Sequence, residues 1–470
     1  MKRSFAFLRL LSVLAGGSLA VAALAANGPD VIVGDLPDFS SWGVYNGVAA
    51  FSIATTSCNI GTSNLRWERS NSFHPVIGQN LYRWKVINGA GRFEMIGQSF
   101  LKHGFTALNG TLCGPCSPRD NTGDTLDPTC SDPYSSSLNG SQDRLGPKYQ
   151  VNAFTGVYPF PVTGIPPVPG DASGAIARRL QAKVADVQAN MNTGALYFAE
   201  GHYIAQDDAA AGNGLNNIAY RRVNISGISP NFTMSTVSNF TTQRQVPAIY
   251  GWGTAELGVT YRTISVPGEG QFTLACKSTF MANGQWHYEY ALHNNNSDRS
   301  GAGFQINLPG EGMQDQVGFY NTGFSAVAYH SGEPYSATPW TISRTPTAFK
   351  WDVVDSFATN PNANALRWGT MYSFRFDSAQ PPTTTGTATL TLFKPGAAGA
   401  PNTITVTGVV VPIPPPCVGD FNIDGGVDGQ DISCFFTDWE NGLASADTDR
   451  NGGVDGSDVE AFVTHWAGGC

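Results

Sequence analysis

From about Glu256 to Lys394 the chain alternates apolar and polar residues with a period of two. In 271–280, Phe272, Leu274 and Cys276 share one face, and in 286–293 Trp286, Tyr288, Tyr290 and Leu292 do the same. Successive side chains of a strand point to opposite sides, so the pattern predicts antiparallel strands with one buried face. Asn283-Gly284 between the two runs is a hairpin turn signal. A β-sandwich domain over 256–395 is the expected product, with the aromatic stripe as its core rather than a sugar-binding platform. Residues 27–255 predict a β-rich N-terminal domain with one helix near Ala175–Met191, where Ile176, Leu180, Val184, Val187 and Met191 recur three and four apart. The similar stretches Ile77-Gly78-Gln79 and Ile96-Gly97-Gln98 read as consecutive strands, as a hairpin or as a repeat.

The pattern changes after residue 395. Residues 396–416 contain Pro401, Pro412, Pro414, Pro415 and Pro416, and are expected to be a stiff linker that no helix can cross. From Cys417 to Cys470 the chain repeats itself with a period of 27 residues. Asp420, Asn422, Asp424, Asp428 and Asp431 recur as Asp447, Asp449, Asn451, Asp455 and Asp458, at loop positions 1, 3, 5, 9 and 12. Gly425 and Gly452 occupy position 6. A hard cation such as Ca²⁺ takes about six to eight oxygens at about 2.3–2.6 Å, so a short loop must wrap around it, and glycine permits the sharp turn. Position 7, Gly426 or Gly453, offers only its carbonyl, while Val427 and Val454 are expected to join the loops through a short strand contact. Beyond each loop, Ile432, Phe435, Phe436 and Trp439 match Val459, Phe462, Val463 and Trp466 at the spacing of one apolar helix face.

A duplicated loop with an exit helix, no entering helix and Asp at position 12 resembles the dockerin family of EF-hand-like calcium modules. The resemblance covers only residues 417–470. It implies two Ca²⁺ ions, held by Asp420, Asn422, Asp424, Gly426, Asp428 and Asp431, and by Asp447, Asp449, Asn451, Gly453, Asp455 and Asp458. It also implies docking onto a cohesin-like or other surface protein. Positions 10 and 11, where dockerins often carry their recognition side chains, hold Gly429-Gln430 and Gly456-Ser457. The larger body is similar to secreted bacterial proteins of unassigned activity through the stretches 74–83, 99–105 and 360–369.

Composition agrees with many short strands and turns: 13% of residues are charged, beside 54 glycines and 29 prolines. The net charge of −9 is local, because 417–470 holds eleven acidic residues against the single Arg450. With no basic stripe, nucleic acid is excluded as a partner. Lys2, Arg3 and Arg9 precede an apolar run, Leu10–Ala25, ending in Ala23-Leu24-Ala25, so residues 1–26 read as a secretory signal peptide. The mature chain is expected to be extracellular or at the cell surface, without a membrane span. Export favours disulfides for the eight cysteines. Cys417 and Cys470 bracket the repeat and are expected to pair. Cys58, Cys113, Cys116 and Cys130 supply structural bonds, leaving Cys276 and Cys434 as the odd thiols.

Cys113-Gly114-Pro115-Cys116 matches the tetrapeptide of thioredoxin-like oxidoreductases, but no βαβ pattern surrounds it. There is no HExxH, GxSxG or Walker sequence. His330, Ser331 and Glu333 are close in sequence, and Glu94, Glu200, Glu289 and Glu333 are candidate acids for glycoside hydrolysis, which needs two carboxyls about 5–9.5 Å apart. No catalytic set is chosen among them. The expected function is a secreted, non-enzymatic surface or matrix protein tethered by its calcium module. The alternative is a secreted polysaccharide hydrolase carried by a dockerin, with polysaccharide as a further partner class.

Overall fold

The computed structural model describes residues 27–119, 122–161, 171, 174–307, 320–345, 348–412, 417–422, 426–449 and 451–469. The expected signal peptide, 1–26, lies outside them, as do Asp424 and Cys470. The chain is mainly β, in several antiparallel sheets, with two helices, Gly429–Glu440 and Gly456–Gly468, near its C-terminal end.

The period-two pattern folds as the expected hairpin. Gln271–Phe280 pairs with Trp286–Asn294, with Cys276 opposite Tyr290 and Phe280 opposite Trp286. Gly284 in the connecting turn takes φ +81°, which a side chain would resist. These strands lie in a five-stranded sheet with Thr260–Ser265, Thr370–Ser378 and Tyr320–Ala326. A second five-stranded sheet runs Thr341–Thr345, Ala348–Asp352, Gly301–Asn307, Pro382–Leu392, Thr403–Pro412. The facing side chains of the two sheets share one aromatic core: the Phe304 ring centroid lies 5.7 Å from Tyr290 and 4.8 Å from Phe374, and Trp351 lies 5.3 Å from Phe374. The aromatic stripe is buried there.

Two expectations are corrected. Residues 396–416 are not all linker, because Thr403–Pro412 forms an edge strand with Val409, Val410 and Val411 buried. Its alternating Thr, Ile and Val suit a pleated surface, Pro401 precedes it, and Pro412 is its last residue, at the end of the ladder, where a missing N–H costs least. The helix expected over 175–191 is also absent. Leu180–Lys183 is a strand lying between Ala90–Gln98 and Val48–Ile53, followed by single turns at Val184–Val187 and Ala189–Met191. Leu180 and Ala182 are buried at period two. Two flanking strands offer this segment a ladder on both sides, and that pairing outweighs a local helical spacing.

That strand belongs to an eleven-stranded sheet whose centre is Leu196–Ile204, Val76–Ile87 and Ala90–Gln98. The similar stretches around Ile77 and Ile96 are the two arms of a hairpin. Asn88 (φ 52°) and Gly89 (φ 90°) form its two-residue turn, both left-handed as a type I′ connection requires. One apolar cluster draws on both sides of residue 255, joining Tyr82, Phe93, Phe198 and Trp252 to Phe272, Leu274 and Tyr290.

The contact between the large sheet and the 260–378 sheet also contains a buried polar layer. Arg92 Nε lies 3.2 Å from Glu289 Oε1, and Ser373 Oγ donates to Phe93 O at 3.0 Å. His287 is held between Asp377 (2.5 Å) and Glu289 (2.9 Å). Burial opposes its charge, but the two carboxylates outweigh that and raise its pKa above the ordinary 6.5. A raised folded-state pKa contributes stability in full below about 6.5 and loses it as pH rises through the folded value. His287→Ala is therefore expected to cost about 1–3 kcal/mol in acidic buffer and less above neutrality, read from denaturant melts across pH. An equal loss at every pH would contradict this.

Disulfides join Cys58 to Cys113 and Cys116 to Cys130. The two thiols of the Cys113–Cys116 tetrapeptide thus pair away from each other, which removes the vicinal dithiol that thioredoxin-like exchange needs. Cys276 and Cys434 are free, as expected, and Cys417 is disulfide-bonded.

Candidate metal centre

Each C-terminal helix begins at loop position 9 with a reciprocal cap. Asp428 accepts from Gln430 N while Asp431 accepts back from Asp428 N, and Asp455 and Asp458 do the same in the second copy. The position-12 carboxylates therefore do two tasks. Asp431 Oδ1 also takes the N–H of Asn422 at 3.1 Å, and Asp458 Oδ1 that of Asp449 at 3.1 Å, closing each loop onto its own helix.

The second loop is described nearly throughout. Asp447, Asp449 and Asp458 bring one carboxylate oxygen each to within 4.8 Å of one another. Gly452 at position 6 has φ +92°, the left-handed turn for which glycine was expected. Its N–H donates to Asp447 Oδ2 at 3.0 Å, while Asp447 Oδ1 is buried with no hydrogen-bond partner. Backbone N–H groups, first that of Asp455, hold Asp458 below its ordinary pKa, so it is an ionised, acceptor-only group. Converging carboxylates with an orphaned oxygen fit a hard divalent cation. Asn451 Oδ1 accepts from Gly453 N (2.9 Å) and Asp455 Oδ1 from Ser457 N (2.8 Å), so these two expected ligands brace the loop. Position 9 commonly reaches calcium through water. In the first loop Asp420, Asn422, Gly426, Asp428 and Asp431 are described, and Asp424 is not.

The two copies interlock through exchanged bonds. Trp439 Nε1 donates to Asp455 O, and its counterpart Trp466 Nε1 donates to Asp428 O, both at 2.8 Å. Phe435 stacks on its counterpart Phe462 at 4.1 Å between centroids and 8° between planes. These contacts, and not a strand bridge between Val427 and Val454, link the loops. Trp439→Phe keeps the ring and loses the bond, and is expected to cost about 0.5–1.5 kcal/mol in denaturant titrations. No loss would show that the indole bond is idle.

No protein-family model matches this chain, and no curated protein does.

Elsewhere the candidate groups are dispersed. His330 Nε2 donates to Arg179 O (2.9 Å) and the ring packs on Phe100, Ser331 N donates to Gln181 Oε1, and Glu333 Oε1 accepts from Lys148 N at 2.7 Å. The three do not converge as nucleophile and base. His74 is buried, with Pro75 O and Phe105 O against its ring nitrogens, and burial lowers its pKa to about 4. Glu94 and Asp186 line a cavity of about 380 Å³, but both are paired with Arg83, at 2.9 and 3.1 Å. Glu289 is tied to Arg92 and His287.

Glu200 lies in the interior and accepts from Asn80 Nδ2 (2.7 Å), Tyr82 OH (2.8 Å) and Ala248 N (2.7 Å). Beside it lies Lys148, buried, whose pKa desolvation lowers to about 8. Lys148 carries no local signal in the sequence, since its partners Asn80 and Gly369 are 68 and 221 residues away. Burial raises Glu333 to about 7. Stretches 74–83 and 360–369 meet here, where Asn80 Nδ2 reaches Gly369 O at 3.3 Å.

Proposed function

We propose that this is a secreted, non-enzymatic surface or matrix protein whose β body is held to a partner by residues 417–470, a dockerin-like module carrying two calcium ions. The reading is supported above all by the convergence of Asp447, Asp449 and Asp458 around the unpartnered Asp447 oxygen. The first copy repeats the cap, the loop closure and the indole bond residue for residue. A cation at each loop relieves carboxylate repulsion and ties the loop to its exit helix. The disulfides suit an exported chain. Among the described residues no helix is long and apolar enough to cross a membrane.

Ser457 Oγ donates inward, to Asp449 Oδ2 at 2.6 Å and Asp455 Oδ1 at 2.7 Å. A partner would therefore read the exposed Gln430 and the helix surfaces rather than this hydroxyl. The test presents the chain, with calcium or with chelator, to immobilised cohesin domains and to surfaces of the producing cells. Calcium-dependent retention that Asp447→Ala abolishes is expected. Retention indifferent to chelation would sink the tether. In parallel, incubation with a polysaccharide panel is expected to release no sugars, and release would establish the hydrolase instead.

A further inference from the structure

The buried node around Asn80 has the arrangement of a self-crosslinking site. Antiparallel register sets Asn80 directly opposite Glu200 on one neighbouring strand and opposite Gln98 on the other. All three side chains meet on one face of the sheet. Lys148, from the short turn Lys148–Gln150, brings its amine onto this row: Nζ lies 2.8 Å from Asn80 Oδ1, 3.4 Å from Gln98 Oε1 and 3.3 Å from Gly369 O. Every acceptor of the amine is a neutral oxygen. On its other side, Asn80 gives its amide nitrogen to Glu200 Oε1 at 2.7 Å. Tyr82 OH and Ala248 N fix that carboxyl in place. Asn80, Glu200 and Lys148 are all buried.

We infer that Lys148 and Asn80 join in an intramolecular isopeptide bond, with Glu200 carrying the proton. The neutral amine of Lys148 attacks Cγ of Asn80, forming the Nζ–Cγ bond. The Cγ–Nδ2 bond breaks, and the proton lost by Nζ passes through Glu200 Oε1 to Nδ2, which leaves as ammonia. Amine plus primary amide gives secondary amide plus ammonia, so the step needs no oxidant, metal or water. Three features of the site favour it. The amine is held against the carbonyl it attacks, which makes the reaction unimolecular. Burial lowers the pKa of the amine to about 8, against the opposing pull of Glu333 and Glu200, and so enlarges its neutral fraction. A proton carrier touches the leaving group, and water is excluded, so hydrolysis does not compete. The bond would tie the centre of the large sheet to a segment 68 residues further along the chain. It is independent of the calcium module and of the tether reading.

Intact mass spectrometry of the reduced, full mature chain tests the inference. The expected mass is below the sequence value by one ammonia, and digestion is expected to give a branched peptide joining the segments that carry Asn80 and Lys148. Lys148→Met and Asn80→Ala should each restore the calculated mass, and Glu200→Gln should leave the two residues unjoined. An intact mass equal to the sequence value, with both residues recovered in separate linear peptides, overturns the inference whether or not the variants fold. An ammonia deficit without the branched peptide overturns it as well. Complete crosslinking in Glu200→Gln would remove Glu200 from the reaction.

Discussion

Chelation of calcium is expected to release the two C-terminal helices while the β body stays folded. Helices of 12 and 13 residues are marginal alone. Among the described residues the fully buried apolar core of the module is Phe435, Ala446 and Phe462, with partly buried side chains such as Phe421 and Trp466 packed on it, too small a core to hold a segment of this size without metal or disulfide support. Eleven acidic residues against one basic residue add repulsion that the ions offset. At a free calcium concentration about 100 times the dissociation constant, each site adds about 2.7 kcal/mol, so two sites govern whether the module is folded. Hydrogen exchange is expected to rise over 429–440 and 456–468 on chelation, with a change in Trp439 and Trp466 fluorescence. Calorimetry should show two calcium sites, and Asp447→Ala should abolish the second and weaken the first through the exchanged indole bonds. Absence of calcium heat, together with unchanged exchange on chelation, would remove the metal assignment.

Phe374→Ala destabilises the body by about 3–5 kcal/mol, the cost of truncating an aromatic side chain inside a packed core. Its ring is fully buried and lies 4.8 Å from Phe304, 5.3 Å from Trp351 and 5.6 Å from Phe324, so it bridges both five-stranded sheets. The surrounding rings are themselves locked by neighbours and cannot collapse into the space. Phe280→Ala is the control: 61% exposed, with its ring 5.2 Å from that of Trp286, its loss should stay at about 0.5 kcal/mol. Denaturant unfolding with calcium held constant separates the two. Similar losses would mean that the sheets do not share the core described here.

What was legible along the chain follows the range of the forces involved. The hairpin at 271–294 could be read because strand alternation and turn chemistry are local, and so could the exit helices, whose apolar faces depend on residues three and four apart. Asp447, Asp449 and Asp458 meet because one short loop carries all three. The segment 175–191 misled for the complementary reason, since its spacing suits a helix but a ladder supplied by Gly97, Gln98 and Ala49–Phe51 makes it a strand. Thr403–Pro412 was hidden by prolines, whose consequence depends on whether an edge strand is there to receive them.

The β character of the body, the 27-residue repeat of the tail, its acidity and the two odd thiols could thus be read along the chain, because all are set by local periodicity or count. Only the tertiary structure decided which loop carbonyl each tryptophan reaches, how the histidines and glutamates of the body are neutralised, and that Lys148 faces Asn80 and Glu200. The Lys148 node arises from strand register and sheet packing, which bring together groups 68 to 221 residues apart, whereas the indole bonds span 16 and 38 residues between the two helix–loop copies. No pattern confined to neighbouring residues records such distances.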